Sequence, residues 1–142
     1  MMAEESNTAA VSREALEALA SARGRIIDRV VERSLARTEH VAHLGDDAER
    51  VIRAGIEMTT RMIESTLSVG SMALLDDQLA WAMSRLPHDG VPPEHIVPRL
   101  RTYREAVNEF LAGGHAAEIT PVIDWLIARL QELIDEAAGA EE

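Results

Sequence analysis

Two histidines in the first half of the chain have a spacing that could hold a metal ion. His40 and His43 are three residues apart and are followed by Asp46 and Asp47. Residues three apart on a helix share one face, so the two imidazoles could bind a single zinc ion. Histidines also suit the end of a helix, where a cation meets the negative pole of the helix dipole. Because the motif fixes no third ligand, we favour two solvated histidines over a metal site.

A pair of acidic residues, Asp76 and Asp77, could act as a general acid and a general base. Adjacent residues on a helix point about 100° apart, so these two carboxylates do not share a substrate. Both follow Ser71 early in a predicted helix, where the helix dipole favours acidic side chains. The sequence contains no nucleophile beside a base, no glycine-rich phosphate loop and no metalloprotease motif. We therefore expect a protein that is not an enzyme.

Three arginines gather near the start of a later helix, at Arg99, Arg101 and Arg104. Guanidinium groups form charge-assisted hydrogen bonds with carboxylates, so this cluster could hold the propionates of a tetrapyrrole. The alternative is pairing with acidic side chains nearby, such as Glu94 and Glu105. We favour the second interpretation.

The composition favours a single all-α domain. Hydrophobic residues make up 46% of the 142 residues, whereas aromatic residues make up only 3%. A core built from Ala, Leu, Ile, Val and Met favours helices over a β-sandwich or a barrel. We place one domain at residues 12–137, between a frayed N-terminal segment at residues 1–11 and an acidic tail at residues 138–142.

Charge and cysteine content narrow the classes of partner and cofactor. The formal net charge is −11, which repels phosphate backbones, so we expect no nucleic acid and no membrane as partners. The chain has no cysteine, which excludes disulfides, thiol catalysis and thioether-linked cofactors. No apolar run is long enough for a membrane span and no signal-like segment opens the sequence, so we predict a cytoplasmic protein.

Apolar residues recur with helical spacing along the whole domain and predict about six helices. Glycines and a proline-rich corner at residues 87–93 separate them. The predicted helices run from Ser12 to Leu19, with a break at Gly24, from Ile26 to about Leu44, from Asp47 to Leu67, from Ser71 to Leu86, from Pro93 to Gly113, and from Ala117 to Ala137.

The middle of the chain resembles the second half of phycobiliproteins, the globin-fold antenna proteins. The resemblance rests on a Val-Gly break at residues 69–70, Leu-Leu-Asp-Asp at residues 74–77, a Gly-Val-Pro-Pro corner at residues 90–93 and Arg-Glu-Ala at residues 104–106. It extends from about Ile52 to Ala106. The register places the bilin-bearing cysteine of the family on Ile52, and its pyrrole-binding arginine and aspartate on Ala54 and Gly55. A covalent bilin is therefore not implied.

The resemblance implies a globin-like fold and two alternative functions. Some cysteine-less relatives are globins associated with bilin biosynthesis, which implies non-covalent binding of heme or a bilin. Others are chromophore-free, dimeric sensor globins of the stressosome. We expect a non-enzymatic tetrapyrrole-binding or carrier protein, with a cofactor-free sensory or scaffold domain acting through helical dimerisation as the alternative. In the second case methionines fill the central space. Either function implies a homo- or heterodimer with a globin-like partner.

By analogy with that fold, the tetrapyrrole would lie in the crevice between the Val51–Leu67 helix and the Leu75–Leu86 helix. Heme of the oxygen-carrier kind is not expected, because the proximal position falls near Ser84, which is no axial ligand. Arg61 and Arg85 would contact propionates, Trp81 and Tyr103 would pack on the rings, and His88 would be the iron ligand, the single metal-binding residue of this prediction.

Overall fold

The computed structural model describes residues 11–86 and 91–140, apart from the side chains of His40 and Ala140. These two ranges are all-α and contain no strand, which confirms the predicted fold class. Five long helices form the domain, rather than about six. They are α1 (Arg13–Leu35), α2 (Ala48–Val69), α3 (Met72–Arg85), α4 (Ile96–Phe110) and α5 (Gly113–Ala140).

The first helix is longer than its sequence predicts. Ser12 caps α1 as expected, and its Oγ accepts a hydrogen bond from the N–H of Ala15 at 3.1 Å. The predicted break at Gly24 was wrong, because α1 continues through it to Leu35. Ala22 and Ile26, on either side of the glycine, are both buried in the core. Their packing outweighs the penalty of about 1 kcal/mol for glycine inside a helix.

The connection from α1 to α2 was predicted as helix up to Leu44 and is instead irregular. Arg37 leaves the helical region, with φ −87° and ψ 81°. A single α-turn at Thr38–Val41 and a 3-10 segment at Ala42–Asp47 follow. Gly45 adopts φ 59° and ψ −137°, a conformation that glycine reaches without a steric penalty. The chain thus turns away from α1 about two helical turns earlier than predicted.

The last helix begins before and ends after its predicted bounds. The Gly113-Gly114 pair was expected to end a helix, yet both residues lie inside α5. The break falls instead at Leu111, which is extended, with φ −108° and ψ 149°, and is buried. Packing of this leucine in the core therefore decides where the chain turns. At its other end α5 continues to Ala140, through residues predicted as tail.

The core lies between α1, α2, α4 and α5. Helix α1 packs against both α2 and α4, and α4 packs against α5. Helix α3 lies at the edge of this bundle, because only Met72, Leu75 and Leu79 of its residues are buried. No helix within the described ranges combines the length and the apolarity needed to span a membrane. The fully buried side chains of the core include Leu19, Ile26, Ile63, Leu100, Ile119 and Ile123.

Candidate functional site

The joint between α2 and α3 opens a groove between the two helices. Gly70 ends α2 in the left-handed conformation, with φ 79° and ψ 26°, and its N–H donates to the carbonyl of Thr66 at 2.7 Å. Ser71 is extended, and α3 begins at the next residue. Because only two residues join the helices and α3 buries few side chains, the space between the two helices is open at the surface.

This α2–α3 groove is the crevice in which the sequence predicts a ligand. Its volume is about 360 Å³, within the range of about 300–1,000 Å³ that is typical of small-molecule sites. Among the residues that the structure describes, no acidic group lies within 4.0 Å of the guanidinium of Arg61. The groove thus combines apolar walls with an unpaired cation. Its lining residues are Met58, Arg61 and Met62 of α2 and Asp77, Gln78 and Trp81 of α3.

Trp81 is the most prominent side chain of the groove. It is 56% exposed, although large aromatic side chains usually lie in the core. The guanidinium carbon of Arg85 lies 5.7 Å from the centre of the Trp81 ring, a distance at which a cation is attracted to an aromatic face. Arg61 and Trp81 thus line the groove, and Arg85 lies beside Trp81.

Behind the groove the interior is almost filled. A small, partly open cavity of about 60 Å³ lies beside Met58 and Met62, and Leu79 lines it on the side of α3. A volume of this size holds one or two water molecules and no macrocycle. Leu79 is buried, and both methionines are partly buried. A planar ligand would therefore lie in the open groove and not in the centre of the bundle.

A second groove of about 370 Å³ continues along α2 toward its N-terminus. Arg50, Ala54 and Met58 line it on α2, and Leu86 and Val91 line it on the opposite side. Met58 borders this groove, the α2–α3 groove and the small cavity. Because the two grooves share Met58 and lie along the same helix, we refer to them together as the trough.

Tyr103 lies in the core and not in the trough. Its side chain is fully buried, and its hydroxyl is 3.0 Å from the hydroxyl of Thr60. The Thr60 hydroxyl also donates to the carbonyl of Ile56 at 2.9 Å. Burial raises the pKa of Tyr103 to about 12, while the bond with Thr60 acts in the opposite direction. Leu100, Tyr103 and Val107 follow helical spacing on α4, and all three are buried. That spacing is the sequence signal that places Tyr103 in the core.

The predicted metal ligands receive no support from the part of the chain that the structure describes. His88, the predicted iron ligand, lies outside the described residues. No group of three or more His, Asp or Glu side chains within residues 11–86 and 91–140 could hold a metal ion. His43 is exposed, and its ring centre lies 5.6 Å from that of His95.

The arginines at the start of α4 have three different environments. Arg104 pairs with Asp124 of α5 at 2.6 Å, so acidic pairing is correct for this residue, although its partner differs from the predicted ones. Arg101 is exposed. Arg99 is only 4% exposed, and burial, followed by the charge of Arg37, lowers its pKa. Sequence analysis missed Arg37, because its proximity to α4 arises only from the packing of α1.

Asp76 and Asp77, the acidic pair of α3, lie in different environments. Asp76 accepts a hydrogen bond from Arg129 of α5 at 2.8 Å, whereas Asp77 lies at the α2–α3 groove. The two carboxylates thus face different neighbours, as expected for adjacent helical residues. Gln78, which the sequence analysis did not single out, also lines the groove, and its Oε1 is buried without a hydrogen-bond partner in the described structure.

Comparisons with protein-family models, with curated proteins and with solved structures found no match for this chain.

Proposed function

We propose that this chain is a non-enzymatic domain with a globin-like, phycobiliprotein-like fold that binds a tetrapyrrole non-covalently in the α2–α3 groove. One observation carries the proposal: the groove combines the exposed ring of Trp81 and two methionines with the guanidinium of Arg61, which has no acidic partner among the described residues. Heme and bilins are flat, apolar molecules with carboxylates at one edge. An aromatic face and mobile thioethers suit the flat part, and a guanidinium suits a carboxylate.

The length of the trough also supports an extended ligand. Arg50 and Arg61 are eleven residues apart on α2, which corresponds to about 16 Å along the helix axis. The trough between them passes Met58. An open trough leaves one edge of the ligand in water, which suits a carrier more than an oxygen-binding heme protein. In this proposal Tyr103 supports the wall of the core and does not contact the ligand.

Absorbance titrations of the purified protein with hemin and with biliverdin test the proposal. We expect a saturable red-shifted band at one equivalent per chain with at least one of the two. W81L and R61M should each weaken binding by about tenfold, because stacking and one charged hydrogen bond each contribute on the order of 1–2 kcal/mol.

V69A is the matched control, since Val69 is exposed near the end of α2 and does not line the groove. H88A tests the predicted iron ligand and should affect hemin but not biliverdin. Unchanged spectra with both ligands would contradict tetrapyrrole binding, as would equal affinities of wild type, W81L and R61M.

A second candidate is a cofactor-free sensory or scaffold domain that dimerises through its helices in the cytoplasm. The observation that favours it is the exposure of two large apolar side chains, Val69 at 67% and Trp81 at 56%. Exposed aromatic residues are enriched at protein interfaces. Sedimentation equilibrium distinguishes the two functions: a dimer that W81E and V69E both dissociate, with no ligand-dependent spectrum, would support the scaffold.

A further inference from the structure

Two arginines where α1 meets α4 carry charges that no described acidic group neutralises. Arg99, in the first turns of α4, is 4% exposed, and its Nη2 has no hydrogen-bond partner. Arg37 donates from Nη2 to the hydroxyl of Thr102 at 2.8 Å, whereas its buried Nη1 has no partner. Within residues 11–86 and 91–140, no carboxylate lies within 4.0 Å of either guanidinium.

The two guanidinium groups lie close enough to influence each other electrostatically. Thr102, which binds Arg37, follows Arg99 by three residues on α4 and therefore lies on the same face of that helix. The charge of Arg37 contributes, after burial, to lowering the pKa of Arg99. Two like charges thus act on each other where one of them is buried, which is unfavourable unless an anion joins them.

The rest of the chain makes this pair unusual. Most other arginines form ion pairs with acidic side chains, for example Arg23 with Glu64 at 2.8 Å and Arg104 with Asp124 at 2.6 Å. Arg61 and Arg101 have no described acidic partner either, but both are exposed to water, whereas Arg99 is buried. The formal net charge is −11, so acidic groups are abundant. Even so, Arg37 and Arg99 are left without one in the described structure. A buried cation without a partner points to a counter-charge that the described residues do not supply.

The surroundings supply further groups that favour an anion. Arg99 lies near the N-terminus of the fifteen-residue helix α4, which is the positive end of its dipole. Ser34, in the last turn of α1, has a buried hydroxyl without a described partner. The N–H of Arg37 donates to the carbonyl of Ser34 at 3.1 Å, which holds Arg37 against this turn.

We propose that a phosphate-type oxyanion binds between Arg37 and Arg99 at the α1–α4 junction. The planar forks of two guanidiniums match the oxygens of phosphate. Arg37 is only partly buried, so the site opens on its side. A free phosphate ion and a phosphate group on a larger molecule share this chemistry. The site is separate from the α2–α3 groove and does not depend on the proposed tetrapyrrole.

Thermal unfolding of the full chain, followed by circular dichroism, tests this site. The probes are sodium phosphate and phenyl phosphate, each compared with sodium chloride at the same ionic strength. We expect a rise in Tm that grows with the logarithm of the phosphate concentration and reaches on the order of 5–10 °C at about a hundredfold excess over Kd. Equilibrium dialysis with radiolabelled inorganic phosphate or phenyl phosphate should give one bound ion per chain. A response to phenyl phosphate alone would identify a phosphate carried by a larger molecule.

Substitutions at the two arginines should abolish this rise. R99M and R37M each remove one guanidinium and keep an apolar stem, while R101M is the matched control at an exposed arginine of the same helix. R37K keeps the charge but loses the fork, and should bind at least tenfold more weakly than wild type. If R99M does not fold, R37M decides. An equal rise in wild type, R37M and R101M, or an equal effect of chloride, would overturn the proposal.

Discussion

The burial of Tyr103 predicts an unusual alkaline titration. Tyr103 is the only tyrosine of the chain, so the absorbance of tyrosinate reports on this residue alone. Burial raises its pKa from 10.0 to about 12 in the folded protein. The unfolded chain therefore loses this proton at a lower pH than the folded chain. The contribution of Tyr103 to stability is fully present below pH 10 and is lost as the pH rises toward about 12.

The size of the effect follows from the two pKa values. A folded-state pKa of about 12 against 10.0 in the unfolded chain corresponds to roughly 3 kcal/mol. This is a large part of the roughly 5–15 kcal/mol that stabilises a typical domain. Y103F removes the ionisation. It should cost only about 1 kcal/mol at neutral pH, because the hydroxyl of Thr60 still donates to the carbonyl of Ile56.

The assay is a pH titration of tyrosinate absorbance with circular dichroism recorded in parallel. We expect tyrosinate to form in the folded protein with a midpoint near 12, well above the 10.0 of an exposed tyrosine. Urea unfolding at several pH values should show a steeper loss of stability for wild type than for Y103F between about pH 10 and pH 12. Formation of tyrosinate with a midpoint near 10.0 in a fully helical protein would refute burial. It would restore Tyr103 as a candidate for ligand contact.

Three further predictions concern local structure, and urea unfolding measures each. G24A should stabilise the protein by about 0.5–1 kcal/mol, because Gly24 lies inside a regular helix. G70A should destabilise it by about 1 kcal/mol, because Gly70 has a φ of 79°. Equal effects of the two substitutions would contradict the helix bounds. M62A should lower the free energy of unfolding by about 2 kcal/mol, since Met62 lies between the groove and the small cavity behind it. An unchanged free energy of unfolding would mean that Met62 faces open solvent. S12A should cost about 1 kcal/mol through loss of the cap. Two hydrogen bonds from Ser12 lower the pKa of Glu118, so this contact weakens as the pH falls into the acidic range. The free energy of unfolding of S12A should therefore fall less with decreasing pH than that of wild type.

Short-range sequence patterns predicted which residues lie at the candidate site better than they predicted the tertiary contacts of those residues. Trp81 and Arg85 are four residues apart on one helix, so helical geometry alone places them together. Arg61 lies near them because the chain turns at Gly70 and α3 lies beside α2. A glycine followed by a serine is a local signal for such a helix end. Tyr103 was assigned to the ligand from its side-chain type, but the partners that decide its role lie on α2.

The sequence by itself determined what depends on composition and on neighbours along the chain. It determined the all-α class, the cap at Ser12 and the turn at Gly70, because helical periodicity, capping and positive φ are local properties. Only the tertiary structure decided that Gly24 stays inside a helix, since the buried side chains on either side of it compensate for its low propensity. The tertiary structure also decided the proximity of Arg37 and Arg99. The two residues are 62 positions apart in the sequence and come close only when α1 packs against α4.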